Sequence, residues 1–158
     1  MIVVADSSPL RYLIVFGEQR LLPELFGETW IPSAVLDELS AAATPGPVRE
    51  FLHSPPGWLK VRDAGNESIQ SIATELDRGE RAALALAQEL HADLVLLDDA
   101  AARHEARLLG FRITGTIGVL RLAAERALID VPALVEKLRK SGFHVTDSLI
   151  KAAFHEWL

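Results

Sequence analysis

Apolar residues recur along this chain in two rhythms. Short, mostly apolar runs at residues 2–5, 29–31, 58–61, 93–97 and 111–114 have the length of buried strands. Between them, apolar positions return every three or four residues, the period of a helix with one buried face. Ser8 suits a helix cap and Pro9 a first helical position, so a helix is expected directly after the first strand, with Leu10, Leu13, Ile14 and Phe16 as its stripe. Further helices are expected at 21–26, closed by Gly27, at 32–41, opened by Pro32, and at 48–53, 69–76 and 81–90. A helix at 100–109, stopped by Gly110, and three more at 117–127, 132–140 and 147–158 complete the set. Residues 42–47 are the clearest loop, and Asp77-Arg78-Gly79-Glu80 punctuates the chain before the helix at 81–90.

Helices alternating with short apolar strands predict an α/β fold, a three-layer α/β/α sandwich around a mainly parallel sheet. With 158 residues, no internal repeat and no linker long enough to separate a pair of cores, the expectation is a single domain over 1–158. An apolar fraction of 49% excludes disorder, and the absence of Cys excludes a disulfide framework, a thiolate zinc site and a cysteine nucleophile. No apolar run approaches the roughly 20 residues that span a bilayer. The first residues lack the basic start and long apolar run of a signal peptide, so a cytoplasmic, non-membrane protein is expected. The net charge of −6 argues against a passive nucleic-acid coat. It is compatible with action on phosphates where carboxylates hold a divalent cation.

The acids on otherwise apolar elements carry the chemistry. Asp6 closes the first strand, and Asp98 and Asp99 close the strand at 93–97. In open parallel sheets ligands bind outside the carboxyl ends of the strands. Glu38 falls on the apolar stripe of its helix, three residues beyond Val35 and four beyond Ala34, whereas Asp37 is rotated away. Glu80 shares a stripe with Ala83, Leu84 and Ala87. Each acid also has a plain reading: Asp77-x-x-Glu80 as a capping box, Asp99 as a helix cap, Asp6 as a turn residue, Glu38 as an arginine's partner. Four inward acids that one sheet edge can gather are harder to explain that way than one. Oxygen donors, with no Cys and five scattered His, favour Mg2+ or Mn2+ over zinc. Such a nest can hydrolyse phosphodiesters, the metal lowering the pKa of a bound water and neutralising the leaving oxygen.

These residues resemble the PIN-domain family, in a branch similar to VapC-type toxins of prokaryotic toxin–antitoxin pairs. The matching pieces are Ile2-Val3-Val4-Ala5-Asp6-Ser7-Ser8-Pro9-Leu10, Ile31-Pro32 through Leu36-Asp37-Glu38-Leu39, and Gly79-Glu80 with its alanine-rich helix. Leu96-Leu97-Asp98-Asp99 with Ala102-Arg103, and Thr114-Gly115-Thr116-Ile117-Gly118, follow in order. The resemblance implies a Mg2+- or Mn2+-dependent endoribonuclease. It places Asp6, Glu38, Glu80 and Asp98 in the catalytic site, and Asp6, Asp98, Asp99 and Glu80 around the metal. Ser7 or Ser8 occupies the hydroxyl position after the first acid, where metal or water is positioned. Arg103 and Thr116 are the candidate substrate contacts, although Arg103 also suits a solvated helix face and the glycines around Thr116 a tight turn. The partners implied are RNA and a small antitoxin. The stripe Ile150, Ala153, Phe154, Trp157 and Leu158 suits core packing or a homodimer. The alternative is a catalytically silent module of the same fold that binds a metal or a partner.

Overall fold

The computed structural model describes residues 1–41 and 44–158. Among them, five strands form one sheet: β1 (Val3–Ala5), β2 (Thr29–Ile31), β3 (Leu59–Val61), β4 (Leu94–Leu96) and β5 (Ile113–Thr114). The helices are α1 (Ser7–Val15), α2 (Leu21–Phe26), α3 (Ser33–Leu39), α4 (Gly46–His53), α5 (Asn66–Gln70), α6 (Arg78–Leu90), α7 (Ala100–Leu108), α8 (Thr116–Glu125), α9 (Val131–Lys140) and α10 (Asp147–Phe154). A 3-10 turn at His155–Trp157 follows. Strand order is β3-β2-β1-β4-β5 and every pairing is parallel. This is the expected α/β/α sandwich. Strands β1 and β4 are buried along their whole length, which is why they read as continuous apolar runs rather than alternating ones.

The order places a topological switch between β1 and β4: the chain first grows outward through β2 and β3, then returns to the other side of β1. Register pairs Ala5 with Leu96, and the Asp6 N–H donates to the Leu96 carbonyl at 3.0 Å. The acids that follow both strands therefore emerge side by side, in the crevice where open α/β sheets bind ligands.

Several expected boundaries move. The helix expected at 69–76 lies instead at Asn66–Gln70. Ile69, Ile72 and Leu76 have helical spacing, yet Ser71 Oγ turns back onto the Ser68 carbonyl at 2.7 Å and ends the helix there. Ile72 and Leu76 reach the core from a non-helical segment. The first helix begins at Ser7 with Asp6 as its flanking residue, not at Pro9 with Ser8 as its cap. The hydroxyls of Ser7 and Ser8 are engaged with carboxylates instead. Of the expected loop at 42–47, residues 42 and 43 lie outside the described residues, and α4 already starts at Gly46. The final helix stops at Phe154 rather than 158.

Candidate functional site

The acids after β1 and β4 open into a cleft of about 690 Å³ lined by Asp6, Asp77, Glu80, Asp98 and Asp99. Separate stretches of chain supply them, so the sheet has gathered what the sequence scatters. Asp6 is 5% exposed and Glu80 7%. Burying like charges together is unfavourable and raises the pKa of both carboxyls. Burial pushes the Asp6 carboxyl up from its ordinary 3.8 to about 7, with Glu38, Glu80 and Asp77 pushing the same way against a hydrogen bond from the Ser7 N–H. Glu80 is also raised, by burial first and then by Asp77, Asp99 and Glu38.

Each acid is held differently. Asp77 and Glu80 form the capping box that the D-x-x-E spacing allows: Glu80 N–H donates to Asp77 Oδ1 at 2.8 Å, and Asp77 N–H to Glu80 Oε1 at 3.1 Å. Asp99 caps α7, its Oδ2 accepting from Ala102 N–H at 3.0 Å. Both plain readings are therefore real, and neither removes the side chain from the cleft, since each bond occupies one carboxylate oxygen. Asp98 is fastened most firmly. Its Oδ1 accepts from Thr116 N–H at 2.7 Å, and its Oδ2 from Thr116 Oγ1 at 2.7 Å and Ser8 Oγ at 3.1 Å. Asp6 stands apart, because its Oδ1 is buried without any hydrogen-bond partner among the described residues.

Two expected residues are not among those that line this cleft. Glu38 accepts a 2.5 Å hydrogen bond from Ser7 Oγ, and its carboxylate lies against Gly79, where an added Cβ would collide with it. That close approach explains the glycine before Glu80: only a hydrogen side chain lets the first turn of α6 meet α3 there. Thr116, expected to touch substrate, is fully buried with both donors engaged by Asp98, so the geometry gives it a holding role. The glycine pattern around it has a similar cause. A Cβ on Gly115 would stand 2.6 Å from Asp98 Oδ1 and 2.8 Å from Arg103 Nη1.

Ser7, Ser8 and Arg103 line the cleft as expected. Arg103 is anchored by its Nη1 to the Leu97 carbonyl at 3.2 Å and forms no ion pair among the described residues, which leaves a cation facing the acids. Sequence reasoning missed Asp77, whose only signal was the capping spacing. It also missed Tyr12, Phe143, His144 and Leu149, which join the lining from α1 and from the far C-terminal region; nothing in their local sequence marks them.

A hard divalent cation suits the donors, which are all oxygen, and the unpaired buried oxygen of Asp6 is the atom that would gain most from one. As the side chains stand, no group of three acids among the described residues converges at ligand distance. The second oxygens of Glu80 and Asp99 accept no hydrogen bond from the described residues and remain available.

Comparison with known proteins agrees with this architecture. The model of the DUF3368 family, described as a PIN domain, matches residues 2–157. A solved PilT N-terminus domain protein from the hyperthermophilic archaeon Sulfolobus solfataricus P2 has a similar fold. Its TM-score is 0.50 at 17% identity, over 92% of this chain and 100% of that one; at that identity the likeness concerns the fold alone. No curated protein sequence matches significantly.

Proposed function

This chain belongs to the PIN-domain family, a family of metal-dependent nucleases, and from that premise we propose that it is an endoribonuclease using Mg2+ or Mn2+. The observation that carries the reading is Asp6: a carboxylate buried at the switch point, with one oxygen unpartnered and four other acids around the same cleft. Asp6, Glu80 and Asp99 would hold the ion, each with an oxygen not engaged by the protein, while Asp98 lies beside them. Such an ion supplies a water of lowered pKa and neutralises charge on the departing oxygen.

The remaining work falls to the protein. Ser8 and Thr116 fix the Asp98 carboxylate, and Ser7 fixes Glu38. These hydrogen bonds fix the Asp98 and Glu38 carboxylates before substrate arrives, while Asp6, Glu80 and Asp99 would still have to draw together around the ion. Arg103 lines the same cleft and would neutralise a phosphate that enters beside the carboxylates. The resemblance of the motif set to VapC-type proteins supports a toxin role, with a small antitoxin as partner, a homodimer and a cytoplasmic setting. No helix among the described residues is long and apolar enough to cross a membrane.

The test is cleavage of mixed RNA by purified protein in Mn2+ or Mg2+, with chelator as control. Asp6→Asn is expected to lose at least about 100-fold in rate, the scale of removing one pre-organised electrostatic group. Equal cleavage by the variant refutes the assignment. One observation favours a second reading, a catalytically silent module: Glu80, Asp98 and Asp99 all serve structural hydrogen bonds, and no three acids among the described residues converge. Calorimetric Mn2+ binding without any RNA cleavage selects that reading.

A further inference from the structure

A second cavity, of about 320 Å³, opens between α2, α8 and the β4–β5 end of the sheet. Met1, Leu25, Phe26, Leu94, Ile113 and Leu122 give it an apolar wall, and it shares only Thr114 and Gly118 with the acidic cleft. Phe26 and Leu94 are buried, whereas Leu25, Ile113 and Leu122 are half-buried and Met1 is 61% exposed. Apolar side chains are thus left open to solvent across a concave surface. Its volume lies at the small end of the range for sites that enclose small molecules.

Two arginines complete the wall, Arg112 just before β5 and Arg126 just after α8. Neither forms an ion pair among the described residues, and no carboxylate of those residues lines the cavity. The acids next to its lining residues along the chain are engaged elsewhere. Glu24 pairs with Arg20, Glu125 pairs with Arg121, and Asp93 Oδ2 accepts from the Ile2 N–H at 2.7 Å. In a chain of net charge −6 this cavity is therefore positive.

We propose that it binds a small aliphatic carboxylate, with the hydrocarbon body on the apolar wall and the anionic head at Arg112 and Arg126. Guanidinium and carboxylate are matched planar forks. A sugar or a nucleobase would lose hydrogen bonds to water against this wall without replacing them, which favours a hydrocarbon body. A second copy of the chain related by a two-fold axis would set the same arginines against one another, which disfavours self-association here. The site does not depend on the nuclease reading.

The experiment is calorimetric titration of the whole chain, in chelator and at low ionic strength, with octanoate below its micelle concentration. The expected result is saturable one-to-one binding, weakened about 4-fold for each methylene removed in heptanoate and hexanoate, and no binding of octylammonium. Arg112→Gln and Arg126→Gln, both at exposed positions, are expected to weaken octanoate about 2- to 5-fold each, and added salt to act in the same direction. Leu122→Glu is expected to abolish binding, with thermal melting of every variant to check the fold. Unchanged octanoate affinity in the double arginine variant means adhesion to apolar surface only and overturns the site. Equal binding of octylammonium, or no saturable binding at millimolar octanoate, overturns it too. Sedimentation is run alongside: a dimer that Leu122→Glu dissociates, with no octanoate bound by the wild type, gives the groove to a second copy and likewise overturns the proposal.

Discussion

Replacing Asp6 by Asn should make the protein more stable at alkaline pH while removing its activity. In the folded state the Asp6 carboxyl titrates at about 7, against an ordinary 3.8. Between those values the folded chain holds a proton that the unfolded chain has released, so stability falls as pH rises from about 4 to 7 and levels off above. At about 1.4 kcal/mol per pH unit the interval corresponds to about 4 kcal/mol, a large share of the 5–15 kcal/mol typical of a domain. Asn has nearly the same shape and carries no charge at either pH, so the difference in slope between the two pH profiles reports the Asp6 charge. The assay is urea unfolding in chelator at pH 4.5 and pH 8. The expected outcome is similar stability at the lower pH and a variant more stable by a few kcal/mol at the higher. Some slope persists in the variant, because the raised Glu80 acts with the same sign. Parallel pH profiles for the two proteins would mean that Asp6 is not a buried, charge-repelled group, and nothing would then draw a cation to this position.

Three further outcomes follow from the same geometry. Mn2+ or Mg2+ should raise the melting temperature more at pH 8 than at pH 5, because a cation competes with the proton on Asp6; at about 100 times Kd the gain is about 2.7 kcal/mol, and a scan showing no shift with metal at pH 8 contradicts the site. Gly79→Ala should cost about 1–3 kcal/mol, the usual scale of forced overpacking, and lower activity, since the new methyl collides with the Glu38 carboxylate; unchanged melting would show that Glu38 swings away freely. Thr116→Val removes one of the three hydrogen bonds to Asp98 while keeping the N–H contact. It should cost about 1–3 kcal/mol and slow turnover without much change in KM, a split readable by steady-state kinetics.

Much of this protein is determined locally. Strands β1 and β4 are buried on both faces, so their residues must be apolar throughout, and the acid that ends each run stands out against that background. Capping chemistry is likewise local, which is why Asp77-x-x-Glu80 and the cap at Asp99 could be read from spacing. The 69–76 segment shows the limit: Ile69, Ile72 and Leu76 have the helical period, but a side-chain bond from Ser71 to the Ser68 carbonyl ends the helix at Gln70. Periodicity records which residues face the core and not the backbone path that brings them there.

Tertiary structure decided which acids share a space and how each is held. Strand order is set by how the whole sheet packs, and only the adjacency of β1 and β4 sets Asp6 beside Asp98. The same packing gave Glu38 and Thr116 their hydrogen-bond partners, Ser7 and Asp98, which lie 31 and 18 residues away along the chain. It also carried Phe143 and His144, more than a hundred residues beyond Asp6, to the rim of the same cleft. Local composition determines what an element can bury; distance through space, which no window of sequence contains, determines what it can touch.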